Sequence, residues 1–412
     1  MIYKEYVSRD YKPARTDIIC EFKFKPAKGV SVLNAAGGIA AESSVGTWNK
    51  VTTETRKVNN MKAIAYQIRK GIVRIAYPLE LFESGNISQL LSSVAGNVFG
   101  MDILNSLFLK DIIFPKEYVK SFKGPKLGIN GLRKKFKIYE RPFVGTIIKP
   151  KIGLSSSQHA KIAFKAWIGG CDIVKDDENL TNQDFNPFKL RVNKTLALMR
   201  KAEQITGEKK AYLINVTAPY EEMLRRVKYV EKAGGTHIMI DVITVGWSAL
   251  QEIRKHTKLP IHAHRAMHAA MTRSKDFGVS MKVIAKLCRL IGVDQLHTGG
   301  ILGKMSETKN EVLETVEAII SKKNDLGMLK QTMPVASGGL YPGVVEKLVK
   351  ILGRDVIIQA GGGIHGHPRG TEAGARAMRQ ALRAAIERIP LKRYAENHQE
   401  LSEAIKKWGV RK

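Results

Sequence analysis

From about residue 144 onward, short apolar runs rich in β-branched residues alternate with longer stretches whose apolar positions recur every three or four residues. The runs fall at 144–149, 171–175, 212–216, 237–242, 260–264, 295–298, 334–337 and 356–360, and each ends in polar or glycine residues. Helical periodicity marks 156–168, 188–205, 220–233, 281–290, 309–320, 344–352 and 372–389. Strands that alternate with helices predict βαβ units and a parallel sheet. Eight units in about 250 residues predict a closed (β/α)8 TIM barrel. A doubly wound open sheet is the alternative, although it more often uses fewer strands.

The first third has a different rhythm. Residues 17–24, 71–77 and 106–114 read as strands, and 30–42 and 80–99 as helices. The fold class is therefore α/β, with an N-terminal α+β domain (1–130) before a barrel domain (131–412). A link lies around 124–141, and an amphipathic helix at 391–408 packs on the outside.

Composition narrows the function classes. The chain has 412 residues, 44% hydrophobic and 26% charged, as in ordinary soluble globular proteins. No apolar run approaches bilayer-spanning length, and the first residues, MIYKEY, lack a signal-peptide layout. Cys20, Cys171 and Cys288 are widely spaced, which fits reduced thiols in a cytoplasm. A net charge of +30 suits attraction of polyanions or phosphorylated substrates. The basic residues are scattered, however, and no nucleic-acid module is present, so neither a nucleic-acid nor a membrane partner is expected.

Candidate chemistry gathers at the strand ends, where barrel enzymes build their sites. The second run ends in Lys175-Asp176-Asp177-Glu178. Carboxylates there suit a hard cation such as Mg²⁺; a surface turn laced with salt bridges is the alternative. Lys175 repels a metal unless it is converted to an anion, for example a carbamate formed with CO₂. Lys149 and Lys151 end the first run, Asn215 and Thr217 the third, and Asp241 the fourth. His262, His264 and Arg265 end the fifth, with His268 just beyond. His297 precedes a glycine-rich loop carrying Lys304, and Ser337-Gly338-Gly339 and Gln359-Ala360-Gly361-Gly362-Gly363 end the last two. The glycine loops before helices suit phosphate binding by backbone N–H groups. Arg265 and His297 suit a second phosphate. Together these describe a metal-assisted site for a bisphosphorylated carbon compound.

The motifs GTIIKPKIG (145–153), GGCDIVKDDEN (169–179) and HRAMHA (264–269) carry a family resemblance. AESSVGTW (41–48), GNVFG (96–100), SGG (337–339) and QAGGG (359–363) support it. The chain resembles the large subunit of ribulose-1,5-bisphosphate carboxylase/oxygenase (RuBisCO) along nearly its whole length, and is most similar to the archaeal form III type. The resemblance implies Mg²⁺-dependent carboxylation of ribulose 1,5-bisphosphate to two 3-phosphoglycerate, with O₂ competing for CO₂. It implies that Lys175 is carbamylated by an activator CO₂ and binds Mg²⁺ with Asp177 and Glu178. Lys149, Lys175, His264 and Lys304 would be catalytic, Lys304 by closing over the site. Substrate would meet Lys151, Gln359 and Gly338. Arg265, His297 and Ser337 would hold one phosphate, and Gly339, Gly361, Gly362, Thr47, Trp48 and Lys304 the other. Glu42, Thr47, Trp48 and Asn97 would complete the neighbouring subunit's site, which implies a homodimer or an assembly of dimers, with no small subunit. By analogy, the pathway would be salvage of nucleotide-derived pentose phosphate.

The chain departs from the family's pattern in its loop. It reads TGGILGKMS at 298–306 where GTVVGK with a nearby acidic residue and glycine is usual, 304–337 is short, and Ile147 stands where plant-type enzymes have threonine. Those changes bear on loop closure and on CO₂/O₂ discrimination. Two other readings use the same residues. One is a RuBisCO-like enolase or isomerase acting on another phosphorylated sugar, whose relatives typically lose the loop lysine and phosphate positions. The other is a catalytically dead scaffold that binds nucleic acid through its positive surface.

Overall fold

A computed structural model describes residues 3–47, 49, 51–303 and 305–411. The chain divides into two compact units: 1–123 with 267–291 and 321–329, and 124–266 with 292–320 and 330–412.

The first unit is built on a five-stranded sheet, in the order Phe277–Val279, Leu104–Ile113, Ile18–Pro26, Ile72–Tyr77, Ile64–Arg69. Its pairs are antiparallel except for Phe277–Val279, which runs parallel to Leu104–Ile113. Helix Val32–Glu42 starts where Ser31 Oγ accepts the Asn34 N–H at 3.2 Å, an N-cap that satisfies one of the orphan donors of the first turn. The helix expected over 80–99 is broken. Gly85 takes φ +77° and Asn86 caps a fresh start, so only Ile87–Val94 is α-helical, between 3-10 turns at Leu79–Leu81 and Asn97–Gly100.

The second unit is the expected closed barrel. Its eight parallel strands, in chain order, are Phe143–Ile147, Ile173–Lys175, Ala211–Asn215, His237–Asp241, Ile261–His264, Gln295–His297, Met333–Ala336 and Ile357–Gln359. Ring closure pairs Gln359 with Gly145. Helices Ser156–Ile168 and Lys309–Ile320 fall where their periodicity predicts. Trp247–His256 is an additional helix between the fourth and fifth strands. The segment read as a link contains helix Gly128–Phe136, whose Ile129, Leu132 and Phe136 pack with Phe143, Ile173, Leu213, Met239, Val335 and Ile357 in one buried cluster. The C-terminal helix is split into Leu391–Glu396 and Gln399–Trp408, because His398 between them takes extended angles.

The second strand ends at Lys175, and the two aspartates after it part company: Asp177 meets Lys149 at 2.6 Å, while Asp176 turns to the flanking helices. Asp176 meets Arg191 of helix Phe188–Thr206 and His159 of helix Ser156–Ile168, at 3.3 and 3.1 Å. Tyr212 donates to it at 2.5 Å and the Asn215 N–H at 3.0 Å. Burial would raise the Asp176 pKa, but Arg191 and these hydrogen bonds outweigh it and lower it to about 2. The anchored aspartate pins the backbone between the two residues of the site.

Candidate active site

Lys175 is fully buried, and its Nζ donates to Asp176 O at 2.7 Å and lies 3.5 Å from Glu178 Oε2. Lys149 Nζ donates to Asp177 Oδ2 at 2.6 Å, while Asp177 Oδ1 accepts from Asn179 Nδ2 at 2.9 Å. Burial works to raise the Asp177 pKa, but the Lys149 and Asn179 hydrogen bonds leave it lowered. Glu178 is also lowered, because Lys175 and His264 outweigh its burial and the repulsion from Asp177. This is a compensated cluster of two carboxylates and two ammonium groups.

Its donor set bears on a metal. Among the described residues no group of three His, Cys, Asp or Glu side chains is placed to hold an ion. Asp177 and Glu178 supply hard anionic oxygens, and the nitrogen beside Glu178 belongs to Lys175. The residues fit Mg²⁺ on condition that Lys175 contributes an oxygen in place of its ammonium and that Lys149 releases Asp177.

The fifth and sixth strands supply a histidine cluster. His264 Nε2 lies 3.6 Å from Glu178 Oε2 and its ring centroid 4.7 Å from that of His297. His264 Nδ1 accepts the Ala266 N–H at 3.2 Å and lies 3.3 Å from Asp241 Oδ1. That carboxylate oxygen has no hydrogen bond among the described residues, which follows if Nδ1 is the unprotonated nitrogen. Below it runs a chain: Gln295 Oε1 to His262 Nδ1 at 2.8 Å, His262 Nε2 to His297 Nε2 at 2.9 Å, and His297 Nδ1 to Ser337 Oγ at 2.7 Å. Burial, with neighbouring positive groups, pushes both His262 and His297 well below the usual histidine range. Each neutral ring then carries one proton. With Gln295 accepting at its start, the chain runs one way, and the Ser337 hydroxyl donates to His297.

Glycines shape the last two strand ends. Gly338 and Gly339 take φ of +101° and +82°, a region costly for residues with a Cβ. A Cβ at Gly361 would lie 3.1 Å from Lys149 Cε, and one at Gly145 would lie 2.9 Å from Gln359 Cγ. Gln359 is fully buried, and neither of its amide atoms has a partner among the described residues. Gly362 opens the short helix Gly362–His365.

The barrel unit thus brings Lys149, Lys175, Asp177, Glu178, His264 and His297 into one network with Ser337, and places Arg265 next in chain. Lys151 is exposed on the turn after the first strand. Glu42, Thr47 and Asn97 belong to the other compact unit, at a helix end, an exposed loop and a 3-10 turn respectively. His268 also belongs to that unit, with Nδ1 3.1 Å from Thr272 Oγ1. Trp48 and Lys304 lie outside the described residues. Sequence reasoning did not single out Gln295 or the buried set of Asp176, His159, Arg191 and Tyr212. An aspartate between two candidate ligands was the only available signal.

Two family models match the chain: the ribulose bisphosphate carboxylase large chain catalytic domain over residues 128–408, and its N-terminal domain over residues 5–118. The ribulose bisphosphate carboxylase of Methanocaldococcus jannaschii is 48% identical, with 98% of this chain and 100% of that one covered. That of Pyrococcus furiosus is 46% identical, with 100% and 98% covered. Among solved structures, a dimeric archaeal Rubisco from Hyperthermus butylicus superposes with a TM-score of 0.94 at 42% identity, covering 100% of both chains. An octameric Rubisco from Pyrococcus horikoshii, in complex with sulfate ion, gives 0.95 at 44%, covering 100% and 98%.

Proposed function

The chain belongs to the ribulose bisphosphate carboxylase large-chain family, and from that premise we propose that it carboxylates ribulose 1,5-bisphosphate, with oxygenation as the side reaction. The observation that carries the proposal is the convergence of Lys149, Lys175, Asp177, Glu178 and His264 on one network at the strand ends. Carbamylated Lys175, Asp177 and Glu178 would hold Mg²⁺, which when bound supplies polarisation of the reacting carbonyl and stabilises enediolate charge.

The chain's own groups do the rest. A base at Lys175 takes the C3 proton of the substrate to form the enediolate. CO₂ adds at C2, water adds at C3, and cleavage of the C2–C3 bond yields two 3-phosphoglycerate. Lys149 gives a proton to the carbanion left by that cleavage, a role supported by its contact with Asp177. His264, between Asp241 and Glu178, takes and returns a proton on the opposite flank. Arg265, His297 and Ser337 hold one phosphate, with the Ser337 hydroxyl and the His297 N–H turning from the histidine chain to donate to it. Gly338, Gly339, Gly361 and Gly362 approach the rest of the substrate with backbone N–H groups, Gln359 offers an unmatched amide, and Lys151 meets substrate. Lys304 neutralises the developing carboxylate.

The site is completed by Glu42, Thr47, Trp48 and Asn97 of a second copy, so the smallest active unit is a homodimer. The dimeric and octameric assemblies described for the archaeal relatives support that reading. No described helix is long and apolar enough to cross a membrane.

The test is incubation with Mg²⁺, ribulose 1,5-bisphosphate and labelled CO₂. Labelled 3-phosphoglycerate is expected from the native chain and none from Lys175→Ala. Substrate consumed without label in 3-phosphoglycerate would instead favour enolase or isomerase chemistry.

A further inference from the structure

Arg265 is nearly fully buried, at 6% exposure. Its Nη2 donates to Glu307 Oε1 at 2.5 Å, and the Glu307 side chain is itself only 14% exposed. Arg265 Nη1 is buried and has no partner among the described residues. A guanidinium recognises an anion best through two parallel N–H donors, and here one donor is engaged while the other is unmatched. Burial lowers the Arg265 pKa and Glu307 partly offsets that effect, but an arginine keeps its charge in proteins. The carboxylate neutralises Arg265 without completing its hydrogen bonding.

Glu307 comes from the loop after the sixth strand, the region where this sequence departs from the family's pattern. The same loop packs against the Ser337 strand end: a Cβ on Gly300 would lie 2.5 Å from Ser337 O, and one on Gly338 would lie 2.7 Å from Met305 Cγ. A Cβ on Gly299 would sit 3.4 Å from Arg265 Nη2 and 3.9 Å from Glu307 Cδ. The acidic side chain is therefore held beside the arginine by a loop tied to the other residue assigned to the same phosphate.

We propose that Glu307 is a specificity-determining internal anion. It occupies Arg265 until a phosphate displaces it, and it thereby sets the charge an incoming group must carry. The inference rests on the assignment of Arg265, His297 and Ser337 to a substrate phosphate. A dianionic phosphate brings two charges and three acceptor oxygens, enough to engage both guanidinium arms and outcompete one carboxylate. A monoanionic carboxylate offers no gain over Glu307 and is refused.

The test is calorimetric titration of the full-length protein with inorganic phosphate, and separately with formate, for the native chain, E307Q, R265Q and the double variant. E307Q is expected to bind phosphate about tenfold to a hundredfold more tightly, the range set by one charge-assisted hydrogen bond, and to acquire measurable formate binding. R265Q is expected to bind phosphate more weakly and to cancel the gain in the double variant. If E307Q binds no better than the native chain while R265Q weakens binding, Glu307 is only a structural partner and the inference is overturned. If R265Q changes nothing, the phosphate assignment itself falls. Should E307Q not fold, E307D keeps the charge but draws it back from Arg265. It is expected to show a smaller gain of the same sign, and its absence would also overturn the inference.

Discussion

Replacing Asp176 by Asn removes one charge from the most densely compensated point behind the site. The carboxylate is fully buried and receives Arg191, His159, Tyr212 and the Asn215 N–H within 2.5–3.3 Å. Arg191 is equally buried, and its other donors reach the neutral Asn186 and Thr181 carbonyls, at 2.9 and 2.7 Å. The substitution therefore strands a guanidinium inside the protein. Breaking a buried pair from one side costs about 3–5 kcal/mol, a large share of the roughly 5–15 kcal/mol that holds a domain folded. Chemical denaturation of Asp176→Asn should show that loss. Asp176→Asn combined with Arg191→Leu should recover at least about 1 kcal/mol relative to the sum of the single variants. Because Asp176 lies between Lys175 and Asp177, the single variant should also raise the Mg²⁺ concentration needed for half-maximal activity about 10- to 100-fold. A loss below about 0.5 kcal/mol, or strict additivity in the cycle, would refute the reasoning, since such values belong to surface positions.

Other expectations follow from the same geometry. Burial lowers the His365 pKa to about 4, so between there and its ordinary value near 6.5 the unfolded chain binds a proton that the folded chain does not. Stability should fall as pH drops through that window, by about 3 kcal/mol for this group, and His365→Gln should flatten the denaturation midpoint there. Burial works to raise Asp172, but Arg379 and Arg141 hold it at about 2; its contribution should persist at pH 5 and be lost only below about pH 4, a late acid transition that Asp172→Asn abolishes. Phe136→Ala empties the cluster beneath the barrel and should cost about 3–5 kcal/mol in denaturant titration. Gly145→Ala sets a Cβ against the Gln359 side chain and should cost about 1–3 kcal/mol by overpacking.

The barrel was legible because buried parallel strands are short apolar runs and the helices between them keep one apolar stripe. Helix ends were readable where a cap or a left-handed glycine stands. The helix expected over 80–99 failed because Gly85 and Asn86 restart the chain, a local signal weaker than the apolar spacing around it. Strand Ile64–Arg69 and the parallel edge strand Phe277–Val279 escaped notice, since edge pairing depends on distant partners. The charged residues at the end of the second strand were visible by motif, but their partners, Lys149 for Asp177 and Arg191 with His159 for Asp176, come from other elements. The chain from Gln295 through His262 and His297 to Ser337 links three adjacent strands, and no spacing within one segment encodes it. The pairing of Arg265 with Glu307 joins residues 42 positions apart and was invisible for the same reason.

In the proposed chemistry Lys175 supplies, as a carbamate, the anionic oxygen that accompanies those of Asp177 and Glu178. Incubating the protein with ¹³CO₂ and Mg²⁺ and recording its ¹³C NMR spectrum reads that conversion. One carbamate resonance per subunit is expected, retained with Mg²⁺ and absent in Lys175→Gln. A native spectrum without it, or the same resonance persisting in Lys175→Gln, would rule out Lys175 as the carbamylated ligand.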